Sequence, residues 1–281
     1  MKHRSRLVTF MLYVILTLAA AFAIYPVYFA FLASVRPGNS LYSTDLAGMF
    51  LPLPPVTLEN YRVMLFDKPF FAWVGNSLFV SIFTVVACLI LATSAAFAFS
   101  RFKFWGRSFG LILFLAIQAF PGVLALVPIA QILSALGLYK SLWGLVLAYA
   151  SGTLVFCTWN LKGYFDTIPI EMEEAAQIDG AGPIQSFIRI ALPLARPAIA
   201  VTALFGFLAG WGEYVLASVI IPAPESAKTL PVGLYNLASD INVPWGQFAA
   251  GAMMVSIPVL ILFLYLQTYL ESGLTVGGVK G

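Results

Sequence analysis

Long apolar runs, uncharged except for Glu213, alternate with polar segments along the chain. A helix needs about 20 apolar residues to cross the hydrocarbon core of a bilayer. Six runs approach or exceed this length, so we predict six transmembrane helices. They cover residues 7–35, 72–100, 109–138, 141–161, 197–221 and 247–270.

Prolines interrupt two of these spans, and polar segments separate the spans from one another. We expect Pro26 to kink the first span and Pro121 and Pro128 to bend the third, because proline removes a helical hydrogen bond. Residues 36–70 and 222–244 contain turn-forming residues, which predicts loops. The first span follows a basic tail but is too long for the apolar part of a signal peptide, so we interpret it as a retained helix.

Residues 174–193 form the longest polar interruption, and with the residues just before them they have the pattern of a helix, a sharp turn and a second helix. Pro169 suits a first helical turn, and three glutamates follow where negative charge favours a helix. Gly180 lies where a left-handed residue ends a helix, and Pro183 starts the next helix. One face of the first helix is mostly small: Met172, Ala175, Ala176 and Asp179. The apolar stripe of the second helix is Ile184, Phe187, Ile188 and Ala191.

Composition identifies the class of protein. The chain is 61% hydrophobic and 10% charged, whereas a soluble domain has about a quarter of its residues charged, so we predict an integral membrane protein. Cys88 and Cys157 lie in separate spans and His3 is the single histidine, so neither a disulfide nor a metal site is predicted. The absence of a G-x-x-x-x-G-K-[ST] loop and of a catalytic set predicts a chain that neither hydrolyses ATP nor acts as an enzyme. The net charge of +3 does not indicate nucleic acid binding.

Lysine and arginine are distributed unequally on the two sides of the predicted spans. With the amino terminus inside, the inner segments hold ten of these 15 residues and the outer segments hold five. Cytoplasmic segments carry an excess of Lys and Arg, which predicts a multi-pass protein of the plasma (inner) membrane with both termini in the cytoplasm. Residues 174–193 then lie in the cytoplasm as well.

The polar segment resembles the EAA loop of ABC importer permeases. The resemblance rests on residue types at fixed spacing: Glu174, Ala175, Ala176, Asp179, Gly180, Ile190, Leu192 and Pro193. It implies an all-α, MetI-like permease fold of six transmembrane helices, in which this segment is the cytoplasmic coupling helix that docks on the ATPase subunit. It also implies a permease core at residues 72–271, after an N-terminal helix and outer loop at 1–71 and before a cytoplasmic tail at 272–281.

The chain ends with Gly273, Leu274 and Thr275 followed by the glycine-rich residues 277–281. This ending is similar to that of MalG-type permeases of maltose and maltodextrin importers. This resemblance implies a second permease (MalF-type), an ATPase homodimer (MalK-type) that binds ATP and Mg²⁺, and an extracytoplasmic sugar-binding protein that contacts residues 222–244. No cofactor would bind this chain itself. The resemblance further implies that the tail packs into the ATPase dimer through Gly277, Gly278, Val279, Lys280 and Gly281.

Polar residues within the spans are candidates for the translocation pathway. Glu213 is either a functional charge at membrane depth or a carboxylate hydrogen-bonded at a helix interface. Gln118 and Gln131 either face a polar pathway or bond neighbouring helices. Two other functions stay open. One is an ABC importer for another sugar, such as trehalose or glycerol phosphate, and the other is a proton-coupled secondary transporter with Glu213 as its relay.

Overall fold

The structure is a computed structural model that describes residues 6–38, 48, 50–52, 55–239 and 242–277, with side chains described up to residue 269. Every regular element in these ranges is a helix, which confirms the predicted all-α class. The main helices are α1 (Arg6–Ser34), α2 (Glu59–Phe66), α3 (Phe70–Arg101), α4 (Arg107–Ala119), α5 (Leu126–Ala135), α6 (Leu142–Phe165), α7 (Glu171–Ile178), α8 (Pro183–Ser186), α9 (Leu192–Leu194), α10 (Arg196–Trp211), α11 (Val215–Ile220), α12 (Leu230–Ala238) and α13 (Trp245–Gly277).

Four helices are long and apolar enough to cross a membrane, namely α1, α3, α6 and α13, and the count rises to six if each of two bent helix pairs is one span. The predicted third span is one of these pairs, since α4 meets a second arm, Gly122–Ala135, at 92°. This second arm begins with the 3₁₀ turn Gly122–Ala125 and continues as α5. The other pair joins residues 183–194 to α10 at 78°. The predicted fifth span is not continuous, because residues 212–214 separate α10 from α11.

Two sequence predictions about prolines and loops need correction. The bend at Pro121 is confirmed, but the predicted bend at Pro128 is wrong, because this residue occupies the first turn of α5, where proline removes no helical hydrogen bond. The segments predicted as loops contain the helices α2 and α12. In α12, Pro231 again occupies a first turn, while Leu230 and Val232 are buried. Burial of these two side chains stabilises a helix that the surrounding polar residues do not predict.

The chain forms two compact units, one of Met1–Phe70 with Leu234–Ile257 and the other of Phe71–Gly233 with Pro258–Gly281. In the first unit, the Asn60 amide donates to the carbonyl oxygens of Ser34 and Arg36 at 2.9 Å each, which joins the end of α1 to α2. Gly246 lies against the same amide, where a Cβ would come within 2.5 Å of Nδ2. The division predicted from the resemblance stays a prediction.

The second unit is built on α3 and α6, which contribute to two buried apolar clusters. One cluster includes Val80 and Leu145 together with residues of α5, α11 and α12. The other includes Ala92 and Leu161 together with the residues around α9. Helix α10 approaches α3 closely at Gly210, where a Cβ would lie 2.9 Å from the Ser81 Cα, as is common where small residues let membrane helices pack.

Polar side chains at the start of α3 hold the segment before α12. The Trp73 indole donates to the Glu225 carbonyl at 2.8 Å, and the Asn76 amide donates to the carbonyls of Ser226 and Lys228 at 2.9 Å each. These bonds tie the 3₁₀ turn Glu225–Ala227 and Lys228 to the start of α3.

Candidate functional site

The segment predicted to couple to a partner begins with α7, which ends in a left-handed turn. Gly180 has a φ of +89°. Its N–H donates to the Gln177 carbonyl at 3.0 Å, and the Ala181 N–H donates to the Ala176 carbonyl at 2.9 Å. These two bonds form a Schellman motif, which satisfies carbonyls at the helix end and reverses the chain. The prediction that a left-handed glycine ends the first helix is therefore confirmed.

The second half of this segment is less regular than its pattern predicts. A π-helical turn at Phe187–Ala191 separates α8 from α9. Of the predicted apolar stripe, Ala191 is buried and Phe187 packs against the second cluster, but Ile184 and Ile188 are exposed. The four apolar side chains of the stripe therefore divide between the second cluster and the exposed surface of the segment. Three residues of the EAA-like pattern are half-buried, namely Ile190, Leu192 and Pro193.

A buried ion pair anchors α7 to the end of α3. The Arg101 Nε lies 2.7 Å from the Glu173 Oε1, and the two side chains are 9% and 5% exposed. Arg101 also donates to the Ile168 carbonyl at 2.9 Å, in the connection that precedes α7. The sequence pattern does not predict this pair, because Arg101 and Glu173 lie 72 positions apart in the chain.

A second polar group fixes the end of α6. The Asp166 carboxylate accepts a hydrogen bond from the Ser100 Oγ at 2.6 Å and contacts the Lys162 Nζ at 2.6 Å. Burial raises the pKa of Asp166, but the hydrogen bonds from Lys162 and Ser100 outweigh burial and hold the pKa below its ordinary value. The carboxylate is therefore charged at neutral pH and joins α3 to α6 beside the Arg101–Glu173 pair.

The outward surface of this segment, which we call the coupling surface, combines acidic and apolar side chains. Its acidic members Glu171, Glu174 and Asp179 are exposed. Its apolar members include Ile178, which is 88% exposed, and Ile184, which is 73% exposed. Ala175 is exposed and Ala176 half-buried, so another helix or loop can approach α7 closely. Such a surface on a rigidly anchored short helix is suited to docking in the groove of a protein partner.

Glu213 lies in the break between α10 and α11 and is half-buried. Its Oε1 accepts from the Leu216 N–H at 2.8 Å, and its Oε2 accepts from the Ala217 N–H at 3.0 Å. The Tyr149 hydroxyl donates to the same Oε2 at 2.5 Å. The carboxylate thus caps the first turn of α11 and ties it to α6, which is the arrangement expected of a hydrogen-bonded residue at a helix interface.

Gln118 and Gln131 lie on the two arms of the bent third span, and the structure separates them. Gln118 lines a cavity of about 970 Å³ between the break of this span and α6, together with Ser151 and several apolar residues. Gln131 is exposed on α5 and does not line that cavity. Glu213 does not line it either, so the three pathway candidates do not form one site in the described structure.

The predicted ATPase-contacting tail falls almost entirely outside the described residues. Gly277 is the last residue of α13, and residues 278–281 are not described. Within the described ranges, no group of three or more His, Cys, Asp or Glu side chains is arranged to hold a metal ion.

Comparison with known proteins now defines the family. The model of the family described as "binding-protein-dependent transport system inner membrane component" matches residues 88–276. The galactooligosaccharides transport system permease protein GanQ of Bacillus subtilis is 41% identical over 285 residues, which cover 100% of this chain and 99% of GanQ. The maltose/maltodextrin transport system permease protein MalG of Photorhabdus laumondii is 36% identical over 274 residues, which cover 93% of this chain and 92% of MalG.

A solved structure gives the same result for the fold. A chain of a bacterial ABC transporter involved in the import of the acidic polysaccharide alginate aligns with a TM-score of 0.81 and 26% identity, over 96% of this chain and 98% of that one. Together with the apolar helices, this match confirms the predicted fold of a membrane permease with up to six spans. The chain belongs to the family of binding-protein-dependent transport system inner membrane components.

Proposed function

We propose that this chain is one of two permease subunits of an ABC importer that carries oligosaccharides into the cell. The observation that carries this proposal is the coupling surface, an exposed and rigidly anchored helix-turn-helix at the EAA-like pattern of a permease-family chain. Relatives that match nearly the whole chain are named for the transport of galactooligosaccharides and of maltose or maltodextrin. Each of these substrates contains two or more linked sugar units, which supports an oligosaccharide as the cargo.

In this proposal the coupling surface docks on an ATPase subunit, which binds ATP and Mg²⁺ and performs the hydrolysis. Ile178 and Ile184 would become buried on docking, since exposed side chains of this size stabilise a complex when water is removed from them. Glu174 would meet a basic side chain of the partner at the edge of the contact. The buried Arg101–Glu173 pair would pass movement of α7 to α3, because it joins the two helix ends directly.

The translocation pathway would pass along the broken third span, where this permease meets a second, MalF-type permease. Backbone that leaves the helical path inside a membrane is tolerated where it lines a water-filled cavity or is buried in protein. The break at Pro121 and the cavity beside Gln118 satisfy this condition. Gln118 and Ser151 are the side chains that would bond sugar hydroxyls there, and aromatic residues of the lining would stack on sugar rings.

The remaining parts of the machine follow from the same proposal. An extracytoplasmic binding protein would deliver the sugar to segment 222–244, whose first part is held to α3 by Trp73 and Asn76. Both termini would lie in the cytoplasm, in accordance with the ten-to-five distribution of Lys and Arg. The tail residues 277–281 would contact the ATPase pair, and residues 72–271 would form the permease core.

Maltose or maltodextrin and galactooligosaccharides are the two substrate candidates, since relatives named for these sugars match 93% and 100% of the chain. The test is a reconstituted importer in proteoliposomes, with its partner permease, ATPase and binding protein, in which ATP hydrolysis is measured with each sugar. We expect stimulation by one of the two oligosaccharide classes and none by amino acids. Hydrolysis that no sugar stimulates, in a complex that assembles, would contradict the proposal.

A proton-coupled secondary transporter is less consistent with the structure. A relay carboxylate must release and regain its proton, whereas both oxygens of Glu213 already accept hydrogen bonds from α11 and one accepts from Tyr149. Protonation would weaken the cap of α11, since a neutral carboxyl group is a poorer acceptor. We therefore assign Glu213 a structural role in this proposal.

A further inference from the structure

The connection between α3 and α4 carries an unusual set of exposed side chains. Residues 102–106 have no helical or other regular structure and turn at Gly106, which has a φ of +88°. Trp105 is 100% exposed, and Phe102, Phe104 and Phe109 are exposed as well. Lys103 is exposed and Arg107 half-exposed. We call residues 102–109 the aromatic-basic loop.

The rings of this loop are not equivalent. Phe102 packs edge-on against Phe97, with ring centroids 5.9 Å apart. Phe104 packs against Phe99, with ring centroids 5.5 Å apart. These contacts hold the backbone of the loop against α3. Trp105 makes no ring contact with any described residue and projects fully from the surface. A large amphipathic ring held out in this way is typical of the layer where membrane meets water.

The two cations of the loop are also without a partner in the described part of the chain. Neither Lys103 nor Arg107 forms an ion pair with a described acidic residue. Together with the loop residues between them they line an open cleft of about 870 Å³. The cleft also adjoins the first turn of α4, where backbone N–H groups lack helical partners and favour an anion. The chemistry of the cleft therefore fits a phosphate that belongs to a group with an apolar tail.

We propose that the aromatic-basic loop binds the headgroup of an anionic phospholipid. Lys103 and Arg107 would contact the phosphate, and Trp105 would lie in the interface with Phe104 and Phe109 directed along the acyl chains. The charge of the neighbouring surface favours this occupant over the protein that covers the coupling surface. The loop begins next to Arg101, whose partner Glu173 lies in α7, so the basic loop and the acidic coupling surface share one end of the second unit. A basic partner that fits Glu174 and Asp179 would be repelled by Lys103 and Arg107.

The test uses the purified importer complex and native mass spectrometry, with phosphatidylglycerol, phosphatidylcholine and inorganic phosphate as probes. Each Lys or Arg near an anionic surface contributes about five-fold in affinity, so K103Q/R107Q should weaken phosphatidylglycerol binding about 30-fold and leave phosphatidylcholine binding unchanged. The matched control R62Q/K68Q removes one arginine and one lysine of the other unit and should change neither. Unchanged phosphatidylglycerol affinity in K103Q/R107Q would overturn the proposal. The proposal would also be overturned if inorganic phosphate competed with the lipid at equal concentration. The same holds if K103Q/R107Q lost the ATPase subunit and kept its lipid affinity.

A second measurement does not depend on removing charge. A spin label on W105C in lipid nanodiscs should relax faster with lipid-soluble oxygen than with a water-soluble nickel chelate. Labelling is selective because Cys88 and Cys157 are buried. Equal or greater accessibility to the nickel chelate would place the loop in water and overturn the lipid assignment.

Discussion

Arg101 and Glu173 form a buried ion pair between the last turn of α3 and the first turn of α7, with Nε and Oε1 2.7 Å apart. The residues are 72 positions apart in the chain. The coupling surface is therefore attached to a long helix of the second unit by a direct charged contact as well as by the chain that leads to it. This attachment gives a physical means for a partner that moves α7 to move α3.

Breaking this pair should destabilise the protein more than breaking an exposed pair. Arg101→Gln leaves the Glu173 carboxylate buried without its partner, which costs roughly 3–5 kcal/mol for a buried pair. The double variant R101Q/E173Q should cost less than the sum of the two single variants, because it leaves no uncompensated charge. The measurement is a double-mutant cycle from thermal or denaturant unfolding of the purified complex.

The exposed pair Arg62–Glu59 provides the control, since its charged atoms lie 3.0 Å apart but its side chains are more than half exposed. Removing this pair in R62Q should change the free energy of unfolding much less than R101Q does. Additive effects of R101Q and E173Q would show that the two side chains do not interact and would remove the proposed link between α7 and α3.

Asp166 should contribute stability that depends on pH only in acid. Burial raises its pKa, but the hydrogen bonds from Lys162 and Ser100 lower the pKa by more than burial raises it. The pKa in the folded protein therefore lies below the ordinary value. Such a group stabilises the protein above its unfolded pKa of about 3.9, and the contribution is lost as pH falls through the folded pKa. The difference in unfolding midpoint between the wild type and D166N should therefore be constant from pH 8 to about pH 5 and shrink below about pH 4. A difference that changes between pH 6 and pH 8 would contradict this assignment.

Glu213→Gln should retain transport. The glutamine oxygen can still accept from the Leu216 N–H of α11, and its amide can donate to the Tyr149 oxygen. Glu213→Ala should lower stability by about 1–2 kcal/mol, because it removes a helix cap and leaves the Tyr149 hydroxyl without its acceptor. Sugar uptake and unfolding are measured together for both variants. Loss of uptake in E213Q at a normal protein level would support the proton relay instead.

Single cysteines should report the sidedness of the membrane. Gln185 in α8 and Ser226 before α12 are both exposed, so Q185C and S226C are accessible to a reagent. With the proposed orientation, a membrane-impermeant maleimide should label S226C in intact cells and Q185C only after the cells are opened. The native Cys88 and Cys157 are buried and give a low background. Labelling of Q185C from outside would place the coupling surface on the wrong side for an ATPase.

The sequence predicted those features that local rules determine. Uncharged runs of spanning length located the long helices, and the position of Gly180 after an acidic, small-residue helix predicted a left-handed turn. The pattern also placed Glu171 and Glu174 near the start of that helix, where the structure has α7. These features depend on neighbours within about one helical turn, so they are visible in a single sequence.

The structural features that the sequence did not predict depend on contacts between residues far apart in the chain. The Arg101–Glu173 pair joins distant residues, and nothing in their spacing indicates it. Helix α12 is concealed by proline and polar neighbours, and it forms because Leu230 and Val232 are buried and Gly233 lies against the Trp73 ring. The break before α11 contains Glu213, whose carboxylate is also bonded by Tyr149 in another helix.

The central claim, that the turn at Gly180 presents a surface to an ATPase subunit, is tested most directly by ATPase retention. Gly180 has a φ of +89° with no atom within 4 Å of an added Cβ, so Gly180→Val introduces backbone strain without a clash. That strain is about 1–2 kcal/mol, which corresponds to roughly a 5–30-fold loss of docking if it tilts α7. Gly182 has a φ of −73° and equal space, so G182V is the matched control.

The measurement is the amount of ATPase that copurifies with tagged permease in wild type, G180V, G180N and G182V, at equal permease levels in the membrane. Asparagine tolerates positive φ better than valine, so G180N should retain more ATPase than G180V. We predict a large loss in G180V, a small loss in G180N and retention near the wild-type level in G182V. Full retention of the ATPase in G180V, with normal transport, would contradict the account.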